Sequence, residues 1–102
     1  APKQSWNDNI TSYAFEAGEL DLQKIGAFME NLVETYGNDM LRYKGVFAIQ
    51  GEDNRLIVQG VHKVVGFDYG SAWGDKRASL LVIIGRGIPY AELKKQFQNA
   101  CS

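Results

Sequence analysis

Leu80-Leu81-Val82-Ile83-Ile84, closed by Gly85-Arg86-Gly87, is the stretch on which the fold turns. A run apolar on both faces marks a strand set in the middle of a sheet, and the two glycines end it. Just beyond, Pro89 is placed to open a helix that turns Tyr90, Leu93, Phe97 and Ala100 inward and Lys94 and Lys95 outward. Just before, residues 66–78 hold three glycines and several polar residues around Phe67, Tyr69 and Trp73, a composition that reads as a structured loop.

Further back, Arg55 to Val65 reads as one long strand bent near Gly60. Leu56, Val58, Gly60, His62 and Val64 fall on one side of it, and Arg55, Ile57, Gln59, Val61 and Lys63 on the other. The turn-like Gly51-Glu52-Asp53-Asn54 joins it to a strand in which Leu41, Tyr43, Phe47 and Ile49 alternate with Arg42, Lys44, Ala48 and Gln50. Asp21 caps a helix whose Leu22, Ile25, Phe28, Met29, Leu32, Val33 and Tyr36 recur at three- and four-residue spacing up to Gly37. A first strand starts at Ile10, with Thr11, Tyr13, Phe15 and Ala17 on one face and Gly18 at its end. The order is β-α-β-β-β-α. A small, mainly antiparallel sheet with helices packed on one face buries such elements economically, so the fold class is α+β. Residues 1–9, polar apart from Trp6, read as a linker or disordered start, and 10–102 as one domain.

At 102 residues there is room for one domain only, and 45% apolar with 23% charged residues is globular composition. A net charge of −1 supplies no excess of cations for nucleic acid. Neither a membrane-length apolar run nor a hydrophobic leader is present, so the expected location is the cytoplasm. Cys101, the single cysteine, excludes an internal disulfide and a multi-cysteine zinc site.

Three stretches taken in order carry a resemblance: Asp39-Met40-Leu41-Arg42-Tyr43-Lys44-Gly45-Val46, then Val58-Gln59-Gly60-Val61-His62, then Arg77 and Ser79 leading into Leu81-Val82-Ile83-Ile84-Gly85-Arg86. With Trp73 before the last strand and the ending Phe97 to Cys101, they make the chain similar to the C-terminal domain of CobW-like P-loop GTPases, a family that includes zinc chaperones and proteins tied to cobalamin synthesis. The resemblance implies an α+β domain attached to a GTPase, used for partner contact or regulation rather than catalysis. It implies GTP, Mg²⁺ and Zn²⁺ or Co²⁺ as cofactors of the parent protein and none for this segment. It brings no GTPase chemistry here, because no Gly-x-x-x-x-Gly-Lys-Ser/Thr run is present, and the family's Cys-x-Cys-Cys motif is absent as well.

His62, the sole histidine, is the candidate metal ligand or sensor of nucleotide state. One ligand makes no zinc site, and a histidine beside Val58 and Val64 equally serves an internal hydrogen bond. Arg42, Lys44, Arg77 and Arg86 are candidates to meet an acidic surface or the phosphates of a nucleotide held next door, against the alternative of local ion pairs. Trp73, with Phe67 and Tyr69, is either an aromatic partner patch or a satellite core that pins the loop. Cys101 reads as a small buried thiol.

No catalytic residue is assigned. The expected function is a non-catalytic accessory domain that contacts the parent's N-terminal GTPase domain and a client metalloprotein. Two other classes compete with it. One is an RNA-binding α+β module, since Lys44-Gly45-Val46-Phe47 echoes an RNA-recognition strand. The other is a small enzyme using His62 or Cys101.

Overall fold

The structure, a computed structural model, describes residues 10–101. The expected linker at 1–9 lies outside the described residues. Six strands, β1 (Ile10–Ala17), β2 (Glu19–Leu20), β3 (Met40–Ile49), β4 (Asn54–Val61), β5 (Val64–Ala72) and β6 (Ser79–Arg86), accompany two helices, α1 (Leu22–Tyr36) and α2 (Tyr90–Cys101). The sheet runs β1-β6-β3-β4-β5 with every neighbour antiparallel, and the short β2 adds a parallel pair to the end of β3, Leu20 opposite Ile49. The class is α+β, as expected.

Local chemistry sets the helix ends. Asp21 accepts from the Lys24 amide at 3.0 Å, and its carbonyl takes the first helical bond from Ile25. Gly37 follows α1 in ordinary right-handed geometry, φ −53°, so its lack of a side chain serves space: a Cβ there would meet Lys63 Cγ at 2.6 Å. At α2 the first bond runs from the Leu93 amide to the Pro89 carbonyl, the start that proline favours.

Both helices lie on one face. Ile25, Phe28, Met29, Leu32, Leu93 and Phe97 pack with Phe15, Phe47, Val58, Leu81 and Ile83 of the sheet into a single buried cluster. Phe15, Phe28 and Phe97 meet with ring centroids 5.4–5.5 Å apart, and Tyr90 adds tilted and stacked contacts to Phe15 and Tyr13.

Three expectations need correction. Arg55 to Val65 is two strands, because the chain reverses at His62-Lys63 and pairs Val61 with Val64. His62 therefore occupies a turn with φ 53°, away from the strand face expected for it. Most of the stretch taken for a loop, up to Ala72, is the edge strand β5. And β6, although interior to the sheet, is covered on one side only: Leu81 and Ile83 are fully buried, whereas Leu80 and Ile84 are 40% and 39% exposed.

Candidate functional site: the open face of the sheet

The uncovered face follows from strand alternation. On β6 it carries Leu80, Val82 and Ile84; opposite them in register stand Val46, Lys44 and Arg42 of β3, and opposite Lys44 and Val46 stand Gln59 and Ile57 of β4. Its centre is thus mainly aliphatic, flanked by Ser12 and Glu16 of β1 and by Asp68 of β5, with Val61 49% and Val64 77% exposed at the β4–β5 turn. Two adjoining troughs run across it. The larger, about 670 Å³, is lined by Arg42, Lys44, Val61, Val64, Val82 and Ile84. The smaller, about 400 Å³, is bounded by Val46, Ile57 and Leu80 and shares Lys44, Gln59 and Val82 with it.

Arg42, Lys44 and Arg86 are exposed and make no ion pair or hydrogen bond among the described residues. Arg42 and Lys44 stand on the middle strand of the sheet, and Arg86 at the end of β6 beside the exposed Ile10 of β1. The structure thus brings three of the sequence candidates to this face.

The other three candidates sit elsewhere. His62 is at the end of the sheet where β3 begins: its amide donates to the Met40 carbonyl at 2.9 Å, and its carbonyl accepts from the Tyr43 hydroxyl at 2.9 Å. The Tyr43 hydroxyl also reaches the Val64 carbonyl at 3.3 Å, which ties the turn to β3, and burial pushes the phenol pKa up.

Arg77 and Trp73 lie at the opposite end. Arg77 Nη2 donates to the carbonyls of Ile49 at 2.8 Å and Glu52 at 2.9 Å, and Nε pairs with Glu19 at 2.5 Å. Its guanidinium is 5.9 Å from the Trp73 ring centre and that of Arg55 4.6 Å, so two cations approach the same indole. The Trp73 indole nitrogen is buried without a hydrogen-bond partner among the described residues. Both residues join β3, β4 and the β5–β6 connection, whereas Phe67 and Tyr69 stay about half exposed on the edge strand.

Ser79 performs a similar service: its hydroxyl accepts from the Ala48 amide at 2.9 Å and donates to the Gly18 carbonyl at 2.8 Å. Cys101 packs at the margin of the core, where burial pushes its thiol pKa up.

Sequence reasoning missed Leu80 and Ile84 as surface residues, whereas it set Ile57 and Val61 on the side of their strand shared with Arg55, Gln59 and Lys63. The signal was present in the two-sided apolarity of β6, which was read as burial on both sides. Among the described residues there is no group of three or more His, Cys, Asp or Glu side chains able to hold a metal ion, and no helix long and apolar enough to cross a membrane.

With this geometry in hand, comparison with known proteins gives a consistent result. The family described as the cobalamin synthesis protein CobW C-terminal domain matches residues 10–101. The zinc chaperone YjiA of Escherichia coli K12 is 38% identical over 79 residues, 76% of this chain and 25% of that protein. The zinc chaperone CobW of Pseudomonas aeruginosa is 32% identical over 91 residues, 87% of this chain and 24% of that protein. The crystal structure of Zn(II)-bound YjiA GTPase from E. coli superimposes with a TM-score of 0.89 at 32% identity, over 100% of this chain and 34% of that one. The chain thus spans about a quarter of the length of the curated relatives it matches. An antiparallel sheet backed by two helices on one face, with a family match over all of its described residues, makes this chain a member of the CobW C-terminal domain family.

Proposed function

We propose that the domain is the accessory, regulatory part of a CobW-like GTPase that delivers zinc, or cobalt, to a client metalloprotein in the cytoplasm, and that it acts by contact rather than by catalysis. The family match over residues 10–101, with relatives that are themselves zinc chaperones and about four times longer, is the observation that carries this reading. The residues present do not fit GTP, because the chain has no phosphate-wrapping Gly-x-x-x-x-Gly-Lys-Ser/Thr loop. They do not fit a zinc ion either, since among the described residues His62 belongs to no group of three or more side chains able to hold a metal. GTP, Mg²⁺ and the transported metal then belong to the rest of the parent protein, and Arg42, Lys44 and Arg86 serve contact with a protein neighbour.

The competing readings lose ground on geometry. Phe47 of the Lys44-Gly45-Val46-Phe47 run is fully buried, and among the described residues the strand positions of β6, β3 and β4 on the open face carry no aromatic ring on which a base could stack. His62 and Cys101 line neither trough, and a thiol with a raised pKa is a poor nucleophile at neutral pH. Steady-state GTP turnover by the isolated domain is the test: the expected rate is that of buffer alone, and hydrolysis that survives repurification would overturn the proposal.

A further inference from the structure

We propose that two copies of this chain join edge to edge, β5 against β5, antiparallel about a two-fold axis at Phe67, so that their sheets become one. This stands independently of the accessory-module reading and adds a partner to it.

Strand register decides which backbone groups are free. Val61 and Val64 flank a two-residue reversal and so form a hydrogen-bonded pair; the pattern alternates from there, which commits Gly66 and Asp68 to β4. Val65, Phe67 and Tyr69 then turn their amides and carbonyls away from the sheet. Among the described residues, one of these groups has a partner: the Tyr69 amide donates to the Asp68 carboxylate at 2.9 Å.

Such an edge is normally blunted by lysine, proline or shortness. Strand β5 runs for nine residues without lysine or proline, and Asp68 is its one charged side chain. The opposite edge is treated differently. There Tyr90 packs on Tyr13 and Phe15 and aims its hydroxyl at the Ala14 carbonyl, 3.5 Å away.

The side chains point to the same place. Phe67 and Tyr69 stand opposite the buried Val58 and Leu56, hence on the helix side of the sheet, yet they are 48% and 49% exposed. They extend the core beyond the layer that covers it.

The occupant must offer an extended backbone, and Val64–Gly70 is its own complement. Turned about Phe67, Val65 meets Tyr69 of the second copy and Phe67 meets its equivalent, cross-strand pairs of the stabilising kind. Asp68 meets Gly66, so no charge directly faces a like charge. The axis is perpendicular to the sheet, which puts both helix layers on one side, with the aromatic residues filling the valley between them. A lone peptide would satisfy the backbone and leave that valley open.

An interface of one strand pair lies at the low end of size, so sedimentation equilibrium and amide spectra of this chain are run from about 0.05 to 1 mM. A monomer–dimer equilibrium is expected, with shifts and added exchange protection at Val65, Phe67 and Tyr69. Phe67→Glu sets like charges at the axis and should weaken the dimer about tenfold or more, Phe67→Leu should weaken it less, and Leu80→Gln on the open face should leave it unchanged. Asp68→Ala frees two Tyr69 amides per dimer and should tighten it about fivefold. Each variant's dispersed spectrum reports that it is folded. A parent chain that stays monomeric at about 1 mM overturns the proposal. So does a dimer whose shifts centre on Leu80, Val82 and Ile84 and that ignores Phe67→Glu. A synthetic peptide of residues 64–70 that shifts the β5 amides while the chain itself stays monomeric overturns the choice of a second copy.

Discussion

Removing Arg77 should cost the domain more than any single ion pair could explain. Its fork makes three directed contacts: Nη2 to the Ile49 and Glu52 carbonyls at 2.8 and 2.9 Å, and Nε to Glu19. The ion pair is the weakest of these, because the two side chains are 25% and 48% exposed, which limits it to at most about 1 kcal/mol. The carbonyl bonds come from a charged donor in a part-buried setting and are each worth about 1 kcal/mol, and the contact with the Trp73 ring at 5.9 Å adds about 0.5 kcal/mol. Arg77→Ala should therefore lower stability by about 3 kcal/mol, a fall in Tm of roughly 15 °C for a domain of this size. Urea unfolding followed by circular dichroism gives the number. Glu19→Ala alone should cost less than about 1 kcal/mol, and Arg77→Lys should recover only part of the loss, since an ammonium cannot span the three acceptors. If Arg77→Ala stays within about 0.5 kcal/mol of wild type, or Glu19→Ala costs as much as Arg77→Ala, the carbonyl stitching inferred here is wrong.

Ser79→Ala removes the hydroxyl that joins the Ala48 amide to the Gly18 carbonyl and should cost about 2 kcal/mol in the same unfolding assay; a change of a few tenths would mean the two backbone groups find other partners. Gly60→Ala places a methyl against the ring of Tyr43, its cross-strand partner, and should destabilise by about 1–3 kcal/mol, relieved in the Tyr43→Ala background, so additive losses would refute the close approach. The raised Tyr43 phenol has a signed consequence: above its ordinary pKa of 10.0 the unfolded chain releases a proton that the folded chain retains, so this contribution is full below pH 10.0 and is lost as pH rises through the higher folded value. Measured in a Cys101→Ser background, since that thiol is raised too, the alkaline decline in stability should be shallower for Tyr43→Phe than for the parent, and equal slopes would contradict the assignment.

Elements whose signal is local were legible in the sequence. The α1 helix has its Asp21 cap and a continuous three- and four-residue apolar rhythm, and α2 has Pro89 and Leu93-Phe97-Ala100. The β4–β5 reversal was not legible, because Val61-His62-Lys63-Val64 contains none of the residues that favour a turn. It is held instead from a distance, by the Met40 carbonyl and the Tyr43 hydroxyl. Strand β5 escaped notice for a different reason: as an edge it is exposed on both faces, so neither core packing nor polarity imposes alternation on Val64–Ala72.

The candidate site divides along the same line. Alternation along β3 correctly sets Arg42 and Lys44 opposite Tyr43, whereas nothing in the sequence says whether the second apolar face of β6 meets a helix layer or solvent. Arg77 and Ser79 belong to the family-like stretches, and their bonds in this fold are structural. That the basic candidates divide into Arg77, bonded to backbone carbonyls, and Arg42, Lys44 and Arg86, without an ion pair or hydrogen bond among the described residues, became visible only in the fold.

The most direct test of the central claim, that this domain works by contact and holds neither nucleotide nor metal itself, is an amide NMR titration of the isolated domain with Zn²⁺ and then with GTP and Mg²⁺. The account predicts no saturable, localised shift at His62, Arg42 or Trp73 with either addition. A saturable shift centred on any of them would place part of a ligand site within these residues and contradict it.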